Sequence, residues 1–557
     1  MPTFARFVLL AALVAIAWPP AARADPKTVC TITVNSPDER ETFRRSLPGD
    51  EYQFVELVER GRPDWLASAC RQGVRCDVLL ISGHFDGGDE FYSDRVDARE
   101  SLPVDEMERV SCSDSCPGLF SQLKEVYLFG CNTLNADAQK DASAEIARSL
   151  VRAGHSQADA EDLARVLGER HAGSNRDRMR QIFKDVPAIY GFSSKAPLGP
   201  VAASVLDRYF AAGATGEVGS GRASAKLLSL FAPVSMTVAS GSTAADPQAS
   251  YRSDVCHFAD DRLSVEQRLA FVHELLQRDM AEVRMFLDRL ERYSTTIPDK
   301  DRQAAPVAAA LDAIAHDGPA RERYLEFARD ADEPAVRARM IALAARFGWL
   351  TAAEKHAELL RMIDDRLARR DAGSADVDLI CTLNRDGALG DALLHRTATM
   401  ARSTGIAHAG ILACLGSLEA HGRVLQALTS PSDDDVQIAQ VYLRHRPIAD
   451  VSELRLVANG IASMRNPDAQ VRALDALAQH QLSDRESLEQ LTRLFPVAKS
   501  LGVQRAIAGI LIRADYQAID RPQLVRALRQ HRLKSSDGKD LIDVLIRRLQ
   551  IDPAPAA

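Results

Sequence analysis

From Thr28 to about Ser240, short apolar runs alternate with amphipathic stretches. The spacing predicts strands at Val29–Asn35, Tyr52–Val58, Cys76–Ser82, Val126–Gly130 and Val186–Phe192, and a sixth around Val234–Val238. Between them, Asp38–Ser46, Asp64–Arg71, Gly118–Lys124, Asp137–Ala153 and Val201–Ala212 carry a helical period. Short strands alternating with helices predict an α/β domain, a parallel sheet covered by helices on both faces. Such sheets place their chemistry at the carboxyl ends of the strands.

From Asp254 onward the period is 3.6 residues and no strand pattern is left. Leu263–Tyr293 opens on Ser264 with Gln267 three residues later, a capping box. The phrases EPAVRARMIALAARFG from Glu333, DDVQIAQVYLRHRP from Asp434, DAQVRALDALAQHQL from Asp468 and GVQRAIAGILIRADY from Gly502 echo one another. Their valines, Val436, Val471 and Val503, recur at intervals of 35 and 32, and Val336 precedes Val436 by 100. This predicts an all-α region of repeats of 33–35 residues, close to the HEAT-like α-solenoids, whose surfaces bind partners more often than they catalyse. A plain helical domain is the alternative. The small, polar stretch ASGSTAADPQAS at Ala239–Ser250 reads as a border. The expected organisation is a signal peptide at 1–24, an α/β domain at 25–240, a linker at 241–255, helical repeats at 256–550 and a disordered tail at 551–557.

Composition narrows the function classes. The 557 residues are 46% hydrophobic and 26% charged, enough apolar material for sizeable cores. The 69 basic and 77 acidic residues leave a net charge of -8, with signs mixed along the helices, which excludes a nucleic-acid surface. Arg6, the apolar run Phe7–Trp18 and Ala22-Arg23-Ala24 read as a secretory signal, with cleavage expected before Asp25 and export to a periplasm or beyond. No later run is long enough for a membrane span.

Export makes disulfides the default for the nine cysteines, and an odd count leaves a thiol over. Cys112 and Cys116 could close a small loop, while Cys381 and Cys414, in DLICTL and ILACLG, read as buried and inert. No spacing suggests a metal site or a cofactor, and His395, His408, His421, His445, His480 and His531 are scattered without ligand spacing.

Two predicted strands end in reactive side chains. LLISGHFDGG delivers His84, and VYLFGCNTL delivers Cys131, 47 residues later. If these strands are neighbours, an imidazole and a thiol share one cleft. A cysteine nucleophile needs a thiolate, a group to manage protons and donors for the oxyanion. Gly83 and Gly130 permit sharp turns just before the reactive residues, and a helix is expected to start close behind Cys131.

An apolar strand ending Ser-Gly-His, followed by a second ending in Cys, resembles the caspase-like (clan CD, CHAT-like) superfamily of cysteine peptidases over roughly residues 28–240. The segment DVPAIYGFSSKAPLG is similar to that superfamily's strand after its catalytic Cys. The resemblance implies that His84 moves protons, that Cys131 is the nucleophile, and that the backbone at Phe85 and Cys131 forms the oxyanion hole. It also implies a substrate wall near Ser193, Ser194 and Lys195. The chain departs from the family in having Phe85 where the family has Gly after its His, and Gly130 before its Cys; a bulky residue at 85 constrains the oxyanion hole. The polar insert from Gly88 to Gly118 could cover the cleft or decorate it. The expectation is an exported peptidase acting on a protein or peptide, with a partner on the helical repeats. The alternative is an inactive caspase-fold scaffold that binds through its solenoid, or a Cys131 tied up in a disulfide.

Overall fold

The computed structural model describes residues 25–550 except 63, 86–87, 95–99, 114–115, 117, 138–142, 153, 172, 391–404, 449, 479–481, 483, 515–519, 535 and 537. The expected signal peptide and tail, His395 and His480 lie outside the described residues. The chain divides into two compact units, one ending at Ala310 and the other beginning at Leu311.

The first unit is α/β. Its strands are β1 (Lys27–Thr33), β2 (Tyr52–Glu56), β3 (Val78–Ser82), β4 (Glu90–Tyr92), β5 (Ser101–Pro103), β6 (Glu125–Phe129), β7 (Ala188–Phe192) and β8 (Met236–Ala239). Six form a sheet in the order β2-β1-β3-β6-β7-β8, parallel except for β8, which runs antiparallel to β7. The internal strands β3, β6 and β7 are buried along their whole length, because both faces of the sheet are covered. Alternate residues enter opposite cores: Leu79, Ile81, Val126 and Leu128 on one face, Val78, Leu80, Tyr127 and Phe129 on the other.

The helices of this unit begin with α1 (Asp38–Ser46), α2 (Trp65–Arg71), α3 (Val104–Cys112), α4 (Ser143–Arg152), α5 (Gln157–Arg170), α6 (Asn175–Ile182), α7 (Gly199–Ala211), α8 (Ala225–Phe231) and α9 (Ala249–Ala259). They continue with α10 (Val265–Gln277), α11 (Met280–Met285) and α12 (Leu287–Thr296). The helix expected over Gly118–Lys124 is not formed: residues 118–122 are turns, and Leu119, Phe120 and Leu123 enter the core from them. The polar insert is structural: β4 and β5 pair as a hairpin, and Phe91, Leu102, Val104 and Met107 are fully buried beneath the sheet edge.

The stretch read as a linker, 241–255, is bonded into this unit, and the division between units falls at 310/311. Ser242 N–H donates to Arg180 O (2.8 Å), Arg180 pairs with Asp246 (2.8 Å), and α9 is joined to α3 by Cys112–Cys256. Its small polar residues serve as hydrogen-bonding groups against α6, which composition does not distinguish from a solvated connector.

The cysteines pair differently from the expectation. The bonds are Cys30–Cys76, Cys70–Cys116, Cys112–Cys256 and Cys381–Cys414, leaving Cys131 free. Cys112 ends α3 facing α9, whereas Cys116, past the helix end, faces α2. Cys381 and Cys414 are buried as expected, but they bridge adjacent helices.

The second unit is all helical. Asp433–His445, Pro467–Leu477, Leu501–Arg513 and Leu541–Gln550 pack on one another in series, and Val451–Ser463, Arg485–Val497 and Arg521–His531 form a second series beside them. Buried Gln470 donates to Ile461 O (2.8 Å) and Gln504 to Phe495 O (3.3 Å), the same reach back to the preceding helix, 34 residues apart. Among the described residues no helix is long and apolar enough to cross a membrane.

Candidate functional site

The sheet settles the arrangement of the two reactive residues. β3 and β6 are adjacent and parallel, with Ser82 opposite Phe129, so His84 and Cys131 each lie two residues beyond a paired position at the same edge. Gly83 N–H continues the ladder to Phe129 O (3.1 Å). The chain then turns away, and His84 exchanges both backbone bonds with Tyr92 of β4 (3.0 and 2.9 Å).

The imidazole of His84 is half-buried. Its Nε2 lies 3.0 Å from Asn35 Nδ2 and 3.4 Å from the exposed carboxylate of Asp94. Ser93 Oγ donates to Asn35 Oδ1 (3.3 Å). Asn35 Nδ2 and the Asp94 carboxylate both face Nε2, the amide able to donate to it when it is unprotonated and the carboxylate able to accept from it when it is protonated, and Nδ1 is without a partner among the described residues. Sequence reasoning missed Asn35: it follows β1, and only the strand order places that strand beside β3.

Cys131 is partly exposed, and its Sγ accepts the amide N–H of Ala196 (3.3 Å). Asn132 N–H donates to Ser194 O (2.7 Å), and Thr133 Oγ1 accepts Phe192 N–H (3.1 Å). The turn after β7 is therefore bonded to the turn after β6. Asn132 holds a left-handed conformation, φ 59°, uncommon for a residue other than glycine. Of the helix expected close behind Cys131, the described part is α4, Ser143–Arg152.

Phe85 is fully buried, its ring against Phe91 with centroids 4.6 Å apart. Its side chain fills the core rather than the cleft. Among the described residues neither the Phe85 N–H nor the Cys131 N–H has a hydrogen-bond partner. Of the residues expected to form a substrate wall, Ser193 Oγ and Ser194 Oγ contact Ser235, and Lys195 is exposed.

A carboxylic acid lies against Ser82, two residues before the histidine. Glu39 is buried on α1, and burial pushes its carboxyl up to about 7. Ser82 Oγ is 2.9 Å from Ser36 O and 3.0 Å from Glu39 Oε2. One hydroxyl proton cannot serve both acceptors, but a protonated Glu39 donates to Ser82 Oγ and leaves its proton for Ser36 O. The same turn holds Asn35, whose N–H, with that of Val34, donates to Ser82 O. No group of His, Cys, Asp and Glu suited to a metal ion occurs among the described residues.

No known protein family, curated protein or solved structure matches the chain.

Proposed function

We propose that the first unit is a cysteine peptidase of caspase-like architecture, with Cys131 as nucleophile and His84 as proton carrier. The observation that carries this reading is the pairing pattern: eight of nine cysteines are in disulfides, and the one free thiol stands beside a histidine at the carboxyl edge of adjacent parallel strands. Four disulfides also favour an oxidising compartment, in keeping with export and a cleaved signal.

In the proposed reaction the Cys131 thiolate adds to the scissile carbonyl carbon and the C=O electron pair moves to oxygen. The free N–H groups of Phe85 and Cys131 are the proposed donors to that oxyanion. Nδ1 of neutral His84 takes the thiol proton as the thiolate forms, and on collapse the imidazolium passes that proton to the departing amine, giving a thioester that water hydrolyses with the neutral histidine as base. On the other side of the ring the Asp94 carboxylate, 3.4 Å from Nε2, faces the N–H of the imidazolium, and Asn35 Nδ2 lies against the same nitrogen, as a third group orients the base in other nucleophile–base pairs. Phe85 keeps its N–H for the oxyanion, and its side chain lies in the core. The helical unit, read as a HEAT-like solenoid, is proposed to bind a protein partner or substrate.

The test is a rate. An acyloxymethyl ketone or iodoacetamide is reacted with the native protein at neutral pH and the modified cysteine mapped by mass spectrometry. Selective labelling of Cys131, faster than an ordinary thiol and lost in His84→Ala, supports the reading. Labelling no faster than glutathione, with peptide-library cleavage unchanged in Cys131→Ala, would falsify it and leave the scaffold role.

A further inference from the structure

The turns carrying His84 and Cys131 are joined through a third element. We propose that α6 is the spacer that sets their separation, with Asn175 as its positioning residue; this rests on the Cys131/His84 reading.

Asn175 is buried, and its Nδ2 donates to Asn132 O (3.0 Å), the carbonyl one residue past Cys131. Its other amide atom faces the histidine turn: a Cβ built on Gly88, which holds φ +78°, would lie 2.6 Å from Asn175 Oδ1. One side chain is thus wedged between the turn after His84 and the turn after Cys131. Arg178, three residues along α6, donates to Gly88 O (3.0 Å), and Arg176 N–H donates to Asn135 O (3.0 Å). The first turn of the helix bonds both catalytic turns at once.

The helix is in turn held from behind. Arg178 pairs with buried Glu108 of α3 (3.0 Å), whose carboxylate also takes both amino groups of Arg289 of α12 (2.8 and 2.9 Å). A buried carboxylate between two guanidiniums fixes its partners in one geometry, because displacing either leaves charge unpaired in the interior. A spacer so anchored holds two turns whose own backbones include two left-handed residues, Gly88 and Asn132. Placement errors of about 1 Å between reacting groups cost on the order of a hundredfold in rate.

The experiment compares Cys131 alkylation by iodoacetamide as a function of pH in the full chain and in Asn175→Asp, which keeps the shape but loses the donor to Asn132 O. Near-UV circular dichroism and Tm report folding separately. The expected result is a folded variant whose alkylation rate at neutral pH falls about 10- to 100-fold, with a pH profile closer to that of an ordinary thiol. Should Asn175→Asp not fold, Arg178→Lys, which keeps a positive charge beside Glu108 and loses the guanidinium N–H on Gly88 O, is expected to show the same loss. If the unsubstituted chain itself reacts as an ordinary thiol, the dyad reading fails. If it is activated and the folded variant retains the full rate and profile, the spacer proposal is overturned and the dyad reading stands.

Discussion

Phe85 and Gly130 fill one space between them: a Cβ on Gly130 would lie 2.8 Å from the Cβ of Phe85 and 3.0 Å from Gly83 O. The bulky residue after His84 and the missing side chain before Cys131 are complementary in space. Phe85 turns inward onto Phe91 because residue 130 leaves room for it.

That contact predicts the behaviour of Gly130→Ala. Overpacking of this kind costs about 1–3 kcal/mol, and here the strain falls on the peptide before Cys131. Phe85→Gly removes the opposing Cβ, so the double variant should be less destabilised than the two single changes summed. A double-mutant cycle by urea unfolding measures the coupling; strict additivity contradicts the packing argument.

Asn35 should matter to rate more than to stability. Asn35→Ala removes the contact on His84 Nε2 while leaving β1 and β3 paired, since their ladder is backbone. On the proposed reading, in which His84 is the base, Cys131 alkylation at neutral pH is expected to drop about tenfold or more through loss of ring orientation, with Tm nearly unchanged. An equal loss in Tm and rate would make Asn35 merely structural.

Glu39 gives the fold an unusual dependence on pH. Its carboxyl, near 4.5 when exposed, is raised to about 7 in the fold, so between these values the native state binds more protons than the unfolded one. Stability therefore declines as pH rises from about 4.5 to 7, by roughly 3 kcal/mol for a shift of this size. Glu39→Gln, which keeps the hydrogen bond to Ser82 without a charge to form, should flatten that part of the curve in a pH series of chemical denaturation.

His171 acts in the opposite sense. It is buried between the rings of Tyr251 and Phe286, both ring nitrogens lack hydrogen-bond partners among the described residues, and burial, aided by Arg170, lowers it from 6.5 to about 4. The unfolded chain takes up this proton first, so stability falls as pH drops from 6.5 towards 4, by up to about 3 kcal/mol. His171→Leu should remove this acid loss and leave stability near pH 8 largely intact.

The disulfide pattern makes a direct count possible. Alkylation after denaturation without reductant should modify Cys131 alone. The double variant Cys112→Ser/Cys256→Ser frees α9 from α3 and should lower stability by about 2–5 kcal/mol. A second alkylated cysteine in the unsubstituted chain would contradict the pairing.

The sequence by itself determined the local order. Period-2 and fully apolar runs placed all six strands of the main sheet within a few residues, and the 3.6 period placed α1, α2 and α7, because these patterns reflect each element's own burial; it also suggested a helix over Gly118–Lys124 that does not form and passed over α3, α5, α6 and α8. The sequence also singled out His84 and Cys131, since glycine before a reactive residue at the end of an apolar run is a local signal. What required the tertiary structure was every relation across the chain. The adjacency of β3 and β6, the approach of Asn35 to His84, the inward turn of Phe85 against Gly130 and the wedge of Asn175 between two turns depend on which strands and helices neighbour one another. Disulfide partners and the binding of residues 241–255 to α6 were hidden for the same reason: 46 to 144 residues separate the paired cysteines of the first unit. Local composition specifies what a segment can form, whereas packing of the whole unit selects which distant groups share one buried space.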